Sequence, residues 1–326
     1  MPVRSMTVTT PAFDSRHEVL DDGRQSGDVL RSRGRTVRLG VSGQLLSQTH
    51  SLSDIVDILQ SLDVDAIELW PRNVPGGDGP EEQQRYEKKD VAGTRRLLDE
   101  RGMSVACVTL GFGILKNCEE VGASYGAEAL KGTVDAAATL GAPIVNCYLA
   151  GIAPELFVAA AQPAAEYAGS AGVTIVLENE AHDDSGPAAS VRSIVEAIGS
   201  PHFGTQYDPC NYYHANEEPY PAAYELVKPY VRYVHLKGGC LYDPEVRPRD
   251  KKGGTMRGST DRFIGYTSIA DGVVNADGVL RRLAHDGYTG YVTLEPHVNA
   301  EEAVDYYRID VPYVQERMRA LQQVGV

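Results

Sequence analysis

Cysteine and positive charge are both scarce in this sequence. The 326 residues contain five cysteines, an odd number, and no two form a Cys-x-x-Cys pair. We interpret them as reduced thiols of a cytoplasmic protein. Lys and Arg total 31 against 45 Asp and Glu, a formal charge of −14. That balance repels phosphate backbones and argues against a nucleic acid as the main partner.

Long apolar runs and phosphate-binding glycine motifs are missing as well. No run approaches the roughly 18 apolar residues that a membrane span needs, so no membrane partner is expected. Residues 1–35 have no apolar core of a secretory signal, and we expect them to form a flexible tail. Neither G-x-x-x-x-G-K-[ST] nor G-x-G-x-x-G follows a predicted strand; Gly111 to Gly113 is only a fragment.

The sequence does contain a repeated unit, in which a helical pattern ends at a glycine and a short apolar run follows. Examples lie at Gly102, Gly141, Gly172 and Gly287. Glycine after a helix is typical of a left-handed C-cap, and the apolar run is typical of a buried parallel strand. Eight runs are predicted as strands: 37–43, 65–70, 104–110, 143–149, 173–178, 203–208, 231–237 and 291–295.

Eight strands alternating with helical patterns predict a single α/β domain, a (β/α)₈ TIM barrel over residues 36–326. Residues 300–324 are predicted as the closing helix. A long Gly-rich connection at 238–274 carries several basic residues, and such a loop is uncommon unless it is functional. It is a surface excursion, a subunit contact, or a lid that presents a substrate-binding arginine such as Arg262.

Four consecutive predicted strands carry acidic or histidine side chains at or near their carboxyl ends. These are Glu178, Asp208, His235 and Glu295. Active sites of such barrels lie at these strand ends, where three unpaired carboxylates would repel one another. A divalent cation removes that conflict, and three oxygens with one imidazole suit Mn²⁺, Mg²⁺ or Co²⁺, with Zn²⁺ also possible. Taken singly, Asp208 has the alternative of a helix cap and His235 that of a core residue.

Weaker candidates surround this set. Trp70, the only tryptophan, ends the second strand and either stacks on a sugar face or packs at the barrel rim. Asn146 is a further substrate-binding candidate, and Glu68 and Tyr148 are expected to line the pocket with it. His182 and His297 follow ligand strands and are candidates for auxiliary acid–base residues.

The motifs LENEAH, QYDPCNYYH, VHLKGG and LEPHV resemble those of the sugar phosphate isomerase/epimerase family with a xylose isomerase-like barrel. The resemblance covers about residues 37–300. It implies that Glu178, Asp208, His235 and Glu295 bind one divalent metal, with Mn²⁺ foremost. It also implies that Glu178 and Glu295 exchange protons with the substrate from opposite faces. This is reasonable, because a metal that holds a carbonyl and an adjacent hydroxyl acidifies the C–H between them.

Two residues depart from the epimerase pattern. Asn211 stands where many epimerases have His, and Lys237 lies in a segment that usually reads His-x-Gly-Glu. Asn211 can hydrogen-bond a sugar hydroxyl, and Lys237 can reach a hydroxyl or an oxyanion, or can be structural. Both changes put simple 3-epimerisation in doubt. Residues 207–237 look closer to the catalytic subunits of C-glycoside deglycosidases, which work with a small β subunit.

The leading hypothesis is therefore a metal-dependent isomerase or epimerase of a ketose or oxidised sugar. The alternative is a lyase that cleaves a 3-oxo-glycoside, or that dehydrates a keto-sugar, inosose or dehydroshikimate-like substrate. We expect a homo-oligomer, or a hetero-oligomer with a small subunit. An abasic-site endonuclease would need further histidines, and a Schiff-base aldolase on Lys237 would leave the four strand ends unexplained. A non-catalytic sugar-binding or regulatory protein would not need the intact metal set.

Overall fold

A computed structural model describes residues 37–243, 256–257 and 263–324. Eight parallel strands close into a barrel in chain order, and this confirms the predicted fold. The predicted tail at 1–35 and Arg262 lie outside the described residues. The barrel strands are β1 (Arg38–Ser42), β2 (Ala66–Leu69), β3 (Ser104–Thr109), β4 (Ile144–Cys147), β5 (Thr174–Glu178), β6 (Phe203–Tyr207), β7 (Val231–Leu236) and β11 (Tyr291–Leu294).

Helices occupy the connections between these strands. The first is typical: Ser51 and Asp54 form a capping box at its start, and its apolar face is buried. Glycine ends the fourth helix, where Gly141 takes the left-handed conformation (φ +71°). The helices are α1 (Leu52–Ser61), α2 (Val91–Glu100), α3 (Cys118–Val121), α4 (Ala123–Leu140), α5 (Pro154–Ser170), α6 (Ala188–Ile198), α7 (Pro209–His214), α8 (Tyr224–Val227), α9 (Ala276–His285) and α10 (Ala303–Val324).

The connection at 238–274 contains a small antiparallel sheet. Its strands are β8 (Gly238–Leu241), β9 (Met256–Arg257) and β10 (Phe263–Thr267), with β10 in the middle. The first strand of this sheet begins directly after Lys237 in the chain. A Cβ atom at Gly238 would lie 2.0 Å from the Ser268 carbonyl oxygen, so the chain needs glycine at this crossing. The sheet therefore starts at the carboxyl end of β7.

The strands are buried on both faces, as a parallel barrel requires. β2, β4 and β6 are buried along their whole length. Inside the barrel, Tyr233 on β7 packs with Ala66, Ala106, Val176 and other small or apolar side chains. Among the described residues, no helix combines the length and apolar character that crossing a membrane demands.

Candidate metal centre

The structure brings the four strand-end residues together at the carboxyl end of the barrel. Glu178 is the last residue of β5, His235 lies in β7, and Asp208 and Glu295 directly follow β6 and β11. Each residue offers one ligand atom, and these four atoms all lie within 4.8 Å of one another. All four side chains are buried. The arrangement is therefore compact enough to surround one cation.

Asp208 serves two purposes, since its two carboxylate oxygens face different groups. Oδ1 accepts hydrogen bonds from the backbone N–H groups of Cys210 (2.8 Å) and Asn211 (3.1 Å), which caps α7. Oδ2 faces the centre, where it lies 2.9 Å from Lys237 Nζ. The Asn179 side chain also holds the Asp208 peptide, accepting from its N–H (2.8 Å) and donating to its carbonyl (2.9 Å). Helix cap and candidate ligand are thus compatible roles.

His235 directs Nδ1 at the carboxylates. Nδ1 lies 3.2 Å from Glu295 Oε2 and 3.7 Å from Glu178 Oε1. Its other nitrogen, Nε2, lies 2.6 Å from Glu68 Oε2. Burial opposes a charge on the ring, but Glu68, Glu295 and Glu178 together raise the pKa of His235 well above its usual value. The neighbouring carboxylates therefore favour the charged form of the ring.

Lys237 enters the same centre from β7, two residues after His235 and hence on the same face of the strand. Its fully buried ammonium lies 2.9 Å from Asp208 Oδ2, 3.1 Å from Glu295 Oε2 and 3.3 Å from His297 Nε2. Burial opposes this charge, yet Asp208 and Glu295 raise the pKa of Lys237. Lys237 is therefore a resident cation beside two of the candidate ligands.

The two glutamates at the centre have different neighbours. Glu178 is held by amides: Asn146 donates to Oε2 at 2.8 Å, and Asn211 lies 3.5 Å from Oε1. Glu295 is held by cationic groups instead. Burial opposes its charge, but Lys237, His235 and His297 keep the pKa of Glu295 well below its usual range. The neighbours of Glu295 thus hold it in its ionised form.

The remaining predicted site residues lie at the mouth. His297 Nε2 is 3.1 Å from Glu295 Oε2, and its side chain is 22% exposed, so it connects the centre with solvent. His182, on the turn after β5, packs edge-to-face against the His214 ring at 5.2 Å. The structure therefore brings His297 to the ligands, whereas the His182 contact that it describes is with another histidine.

Trp70 packs against its neighbours at the barrel rim, while its stacking on a sugar face stays a prediction. Its indole Nε1 donates to Glu68 Oε1 at 2.8 Å, which ties the ring to the barrel interior. Its ring also packs against Tyr148, with centroids 5.9 Å apart, and Phe112 packs on the far side of Tyr148 at 5.1 Å. Phe112 is half exposed. The three rings form an aromatic ledge (Trp70, Tyr148, Phe112) that runs from the centre to solvent.

Sequence reasoning undervalued the residues that support the ligands. Glu68 was expected only to line the pocket, and the roles of Asn179 and Gln206 carried no prediction. Gln206 Nε2 lies 2.8 Å from His235 Nδ1. One signal was present: Glu68 is a charged residue in the fully buried strand Ala66–Leu69, and such residues are almost never buried unless they are paired.

The donor set fits a divalent cation. Four buried carboxylates, on Glu68, Glu178, Asp208 and Glu295, face the cationic groups of Lys237 and His235. Carboxylate groups thus outnumber the cationic side chains at the centre by four to two. Isolated buried charge is costly, so this excess favours a bound cation. Carboxylate oxygens with one imidazole suit Mn²⁺, Mg²⁺, Co²⁺ or Zn²⁺.

Residues 56–316 match the protein family described as the xylose isomerase-like TIM barrel. The chain belongs to this family. The match covers most of the barrel, from α1 into α10, and confirms the resemblance drawn from the four sequence motifs. No curated protein matches the chain.

Solved structures show the same fold at low sequence identity. An L-ribulose 3-epimerase is 18% identical, with a TM-score of 0.61 over 89% of this chain and 94% of that one. A xylose isomerase-like protein from Mycobacterium smegmatis, in complex with magnesium, is 14% identical, with a TM-score of 0.64 over 88% and 98%. The probable 3-DHS dehydratase AsbF from Bacillus anthracis is 14% identical, with a TM-score of 0.61 over 86% and 99%. These relatives include a sugar epimerase and a dehydratase.

Proposed function

We propose that the protein is a divalent-metal-dependent isomerase or epimerase that removes a proton next to the carbonyl of a ketose or oxidised sugar. The observation that carries this is the placement of Glu178 and Glu295 on either side of one centre. β6 and β7, which supply Asp208 and His235, separate their strands in the barrel. Two carboxylates that flank a substrate can remove a proton from one face and return it to the other.

A bound cation would polarise the substrate carbonyl and hold an adjacent hydroxyl. Glu295 is kept ionised by its cationic neighbours, so it is able to accept a proton. Lys237 lies next to it and offers an ammonium N–H to an oxygen that gains negative charge. Asn146 and Asn211 orient Glu178 through its two oxygens, so this carboxylate faces the centre in a fixed position.

One observation favours elimination as a second candidate. Lys237 and His297 lie side by side next to Glu295, with 3.3 Å between Nζ and Nε2. A proton held between Lys237 and His297 could pass to a departing oxygen or carbon group. A two-base epimerase does not require such a proton donor. A lyase that cleaves a 3-oxo-glycoside would expel a group from the ring, and the aromatic ledge beside the centre could receive an apolar one.

The cofactor, partners and compartment stay proposals. We propose Mn²⁺ foremost, with Mg²⁺, Co²⁺ or Zn²⁺ as alternatives, because the donor set is mainly carboxylate. The substrate is a small sugar or sugar derivative, as the names of the structural relatives suggest. We further propose a cytoplasmic enzyme that forms a homo-oligomer, or a hetero-oligomer with a small subunit.

Proton NMR in D₂O tests the reaction. Mn²⁺ would be added at catalytic amounts to protein and a panel of ketoses, inositol ketones and 3-oxo-glycosides, then removed before acquisition. Deuterium at the carbon next to the carbonyl, with every substrate atom retained, would support the isomerase or epimerase. Loss of water or of an aglycone would support the lyase instead. The His235→Ala variant is the control, because it should lose both metal and exchange; exchange at the wild-type rate in it would contradict the metal assignment.

A further inference from the structure

The Glu68 side chain is buried completely beneath the candidate metal centre, yet it is not one of the four ligands. It lies on β2, across the barrel from β7. Each of its oxygens meets two polar groups. Oε1 accepts from Trp70 Nε1 at 2.8 Å and from Ser42 Oγ at 3.1 Å. Oε2 accepts from the Tyr233 hydroxyl at 2.9 Å and lies 2.6 Å from His235 Nε2.

We propose that Glu68 is the positioning residue of the metal centre: its carboxylate binds the Nε2–H of His235 and thereby aims Nδ1 at the cation. The inference rests on the proposed metal-dependent function. It deepens that function by naming a residue that sets metal affinity without touching the metal.

The hydrogen-bond directions follow from the partners. The Trp70 indole can only donate, so Oε1 must accept. The Tyr233 hydroxyl lies 2.6 Å from Thr293 Oγ1, which can donate to it while the Tyr233 proton goes to Glu68. With these donors in place, the carboxylate accepts on all sides and His235 Nε2 supplies the remaining proton. The Nε2–H bond is kept when the ring is neutral, and Nδ1 then carries the free lone pair, so Nδ1 is the ligand atom.

The same contacts also fix the plane of the ring. Nε2 is anchored below by Glu68, while Nδ1 lies above it at 3.2 Å from Glu295 Oε2. A carboxylate behind a metal-bound histidine fixes both its tautomer and its orientation. Loss of such a group typically lowers metal affinity about 10- to 100-fold.

Two substitutions separate positioning from simple charge. Glu68→Ala removes the acceptor, and we expect the Kd for Mn²⁺ to rise about 10- to 100-fold. Glu68→Gln removes the charge but keeps one oxygen, which can still accept from His235 Nε2. Its NH₂ group would then face the Trp70 N–H, so one bond is lost. We therefore expect a Kd between those of the wild type and Glu68→Ala.

Mn²⁺ titrations followed by electron paramagnetic resonance give these affinities, with His235→Ala as the variant that should lose binding. Glu100→Ala, at the exposed end of α2, is the control for removing a distant carboxylate and should match the wild type. A second readout is ¹⁵N NMR of histidine-labelled, Zn²⁺-loaded protein. We expect the His235 proton at Nε2 in the wild type, and a shifted or mixed tautomer signal in Glu68→Ala.

The outcomes distinguish failure of the positioning role from failure of the proposed metal-dependent function. If the wild type binds Mn²⁺, His235→Ala does not, and Glu68→Ala binds within twofold of the wild type, the positioning role is overturned while the metal centre stands. Equal losses in Glu68→Gln and Glu68→Ala, with an unchanged tautomer signal, would also overturn it, since charge alone would explain them. A wild-type protein that binds no Mn²⁺ would overturn the proposed metal-dependent function together with this inference.

Discussion

Removal of the Lys237 ammonium changes the charge of the centre without removing any candidate metal ligand. Lys237 Nζ lies 2.9 Å from Asp208 Oδ2 and 3.1 Å from Glu295 Oε2. All three side chains are buried. Lys237→Met keeps much of the apolar stem but leaves both carboxylates without their cation.

The size of the effect follows from the burial. Breaking a buried ion pair by removal of one partner typically costs about 3–5 kcal/mol, because the remaining charge is left uncompensated. We expect that loss in the unfolding free energy of metal-free Lys237→Met. A cation bound beside Asp208 and Glu295 would compensate the same carboxylates. We therefore expect Mn²⁺ to stabilise the variant more than the wild type, by at least about 1.4 kcal/mol, which equals a tenfold gain in affinity.

Urea denaturation in EDTA and in excess Mn²⁺ measures both quantities for each protein. Lys131→Met is the matched control, because Lys131 pairs with Glu128 at 2.9 Å on the partly exposed surface of α4. Such pairs contribute about 0–1 kcal/mol, so this variant should respond to Mn²⁺ as the wild type does. If Mn²⁺ stabilised Lys237→Met and the wild type equally, Lys237 and the cation would not share their carboxylates, and the reasoning would fail.

Three further predictions concern separate groups. Glu295→Gln should keep substrate binding but slow deuterium exchange at least about 100-fold, as loss of a general base does. The exposed Glu301→Gln is the control and should exchange at the wild-type rate. Equal rates in the two variants would show that Glu295 is no base. Buried carboxylates raise the pKa of His235 against the effect of burial, so a cation must displace the Nδ1 proton. Mn²⁺ affinity should thus rise about tenfold per pH unit at every pH below that raised pKa, and a flat calorimetric profile would contradict this. Burial raises the pKa of Asp310 from 3.8 to about 7, against a hydrogen bond from the Ile269 N–H. The pKa of Asp310 is higher in the folded than in the unfolded protein. The stability that the protonated Asp310 contributes is therefore fully present below about pH 4 and is lost by about pH 7. In urea unfolding, the free energy of unfolding of Asp310→Asn should rise by about 4 kcal/mol relative to the wild type across that range. Parallel pH profiles of the two proteins would refute this.

The eight barrel strands were predictable because each reads as an apolar run and most of them have a second signal in the sequence before them. A parallel strand buried on both faces reads as an apolar run, and the helix before it often ends at a glycine such as Gly141 or Gly172. The small sheet behind β7 has neither signal. β8 begins with two glycines and β9 has two residues, so their pairing depends on contacts with β10 that a local pattern does not encode.

The positions of the ligands were predictable, but their partners were not. The carboxyl ends of neighbouring parallel strands meet in one place, which brings Glu178, Asp208, His235 and Glu295 together. Side chains two residues apart share a face, which places Lys237 beside His235. The lysine lies against Asp208 and Glu295 and not against Glu178. Which carboxylates Lys237 meets depends on the distances between side chains on three strands, and these distances depend on barrel geometry.

The interior of the barrel is ordered by charge along its axis. Hydroxyl groups of Tyr233 and Thr293 lie beneath Glu68, whose carboxylate lies beneath the His235 ring. Above that ring come the candidate ligand carboxylates, and Lys237 pairs with two of them. Each anionic layer is thus compensated by a donor or a cation in the next. A group in this series cannot be exchanged alone, because its removal leaves a buried charge in the adjacent layer. This coupling explains why the candidate ligand set can coexist here with a lysine: the lysine is part of the charge balance that makes three adjacent carboxylates tolerable.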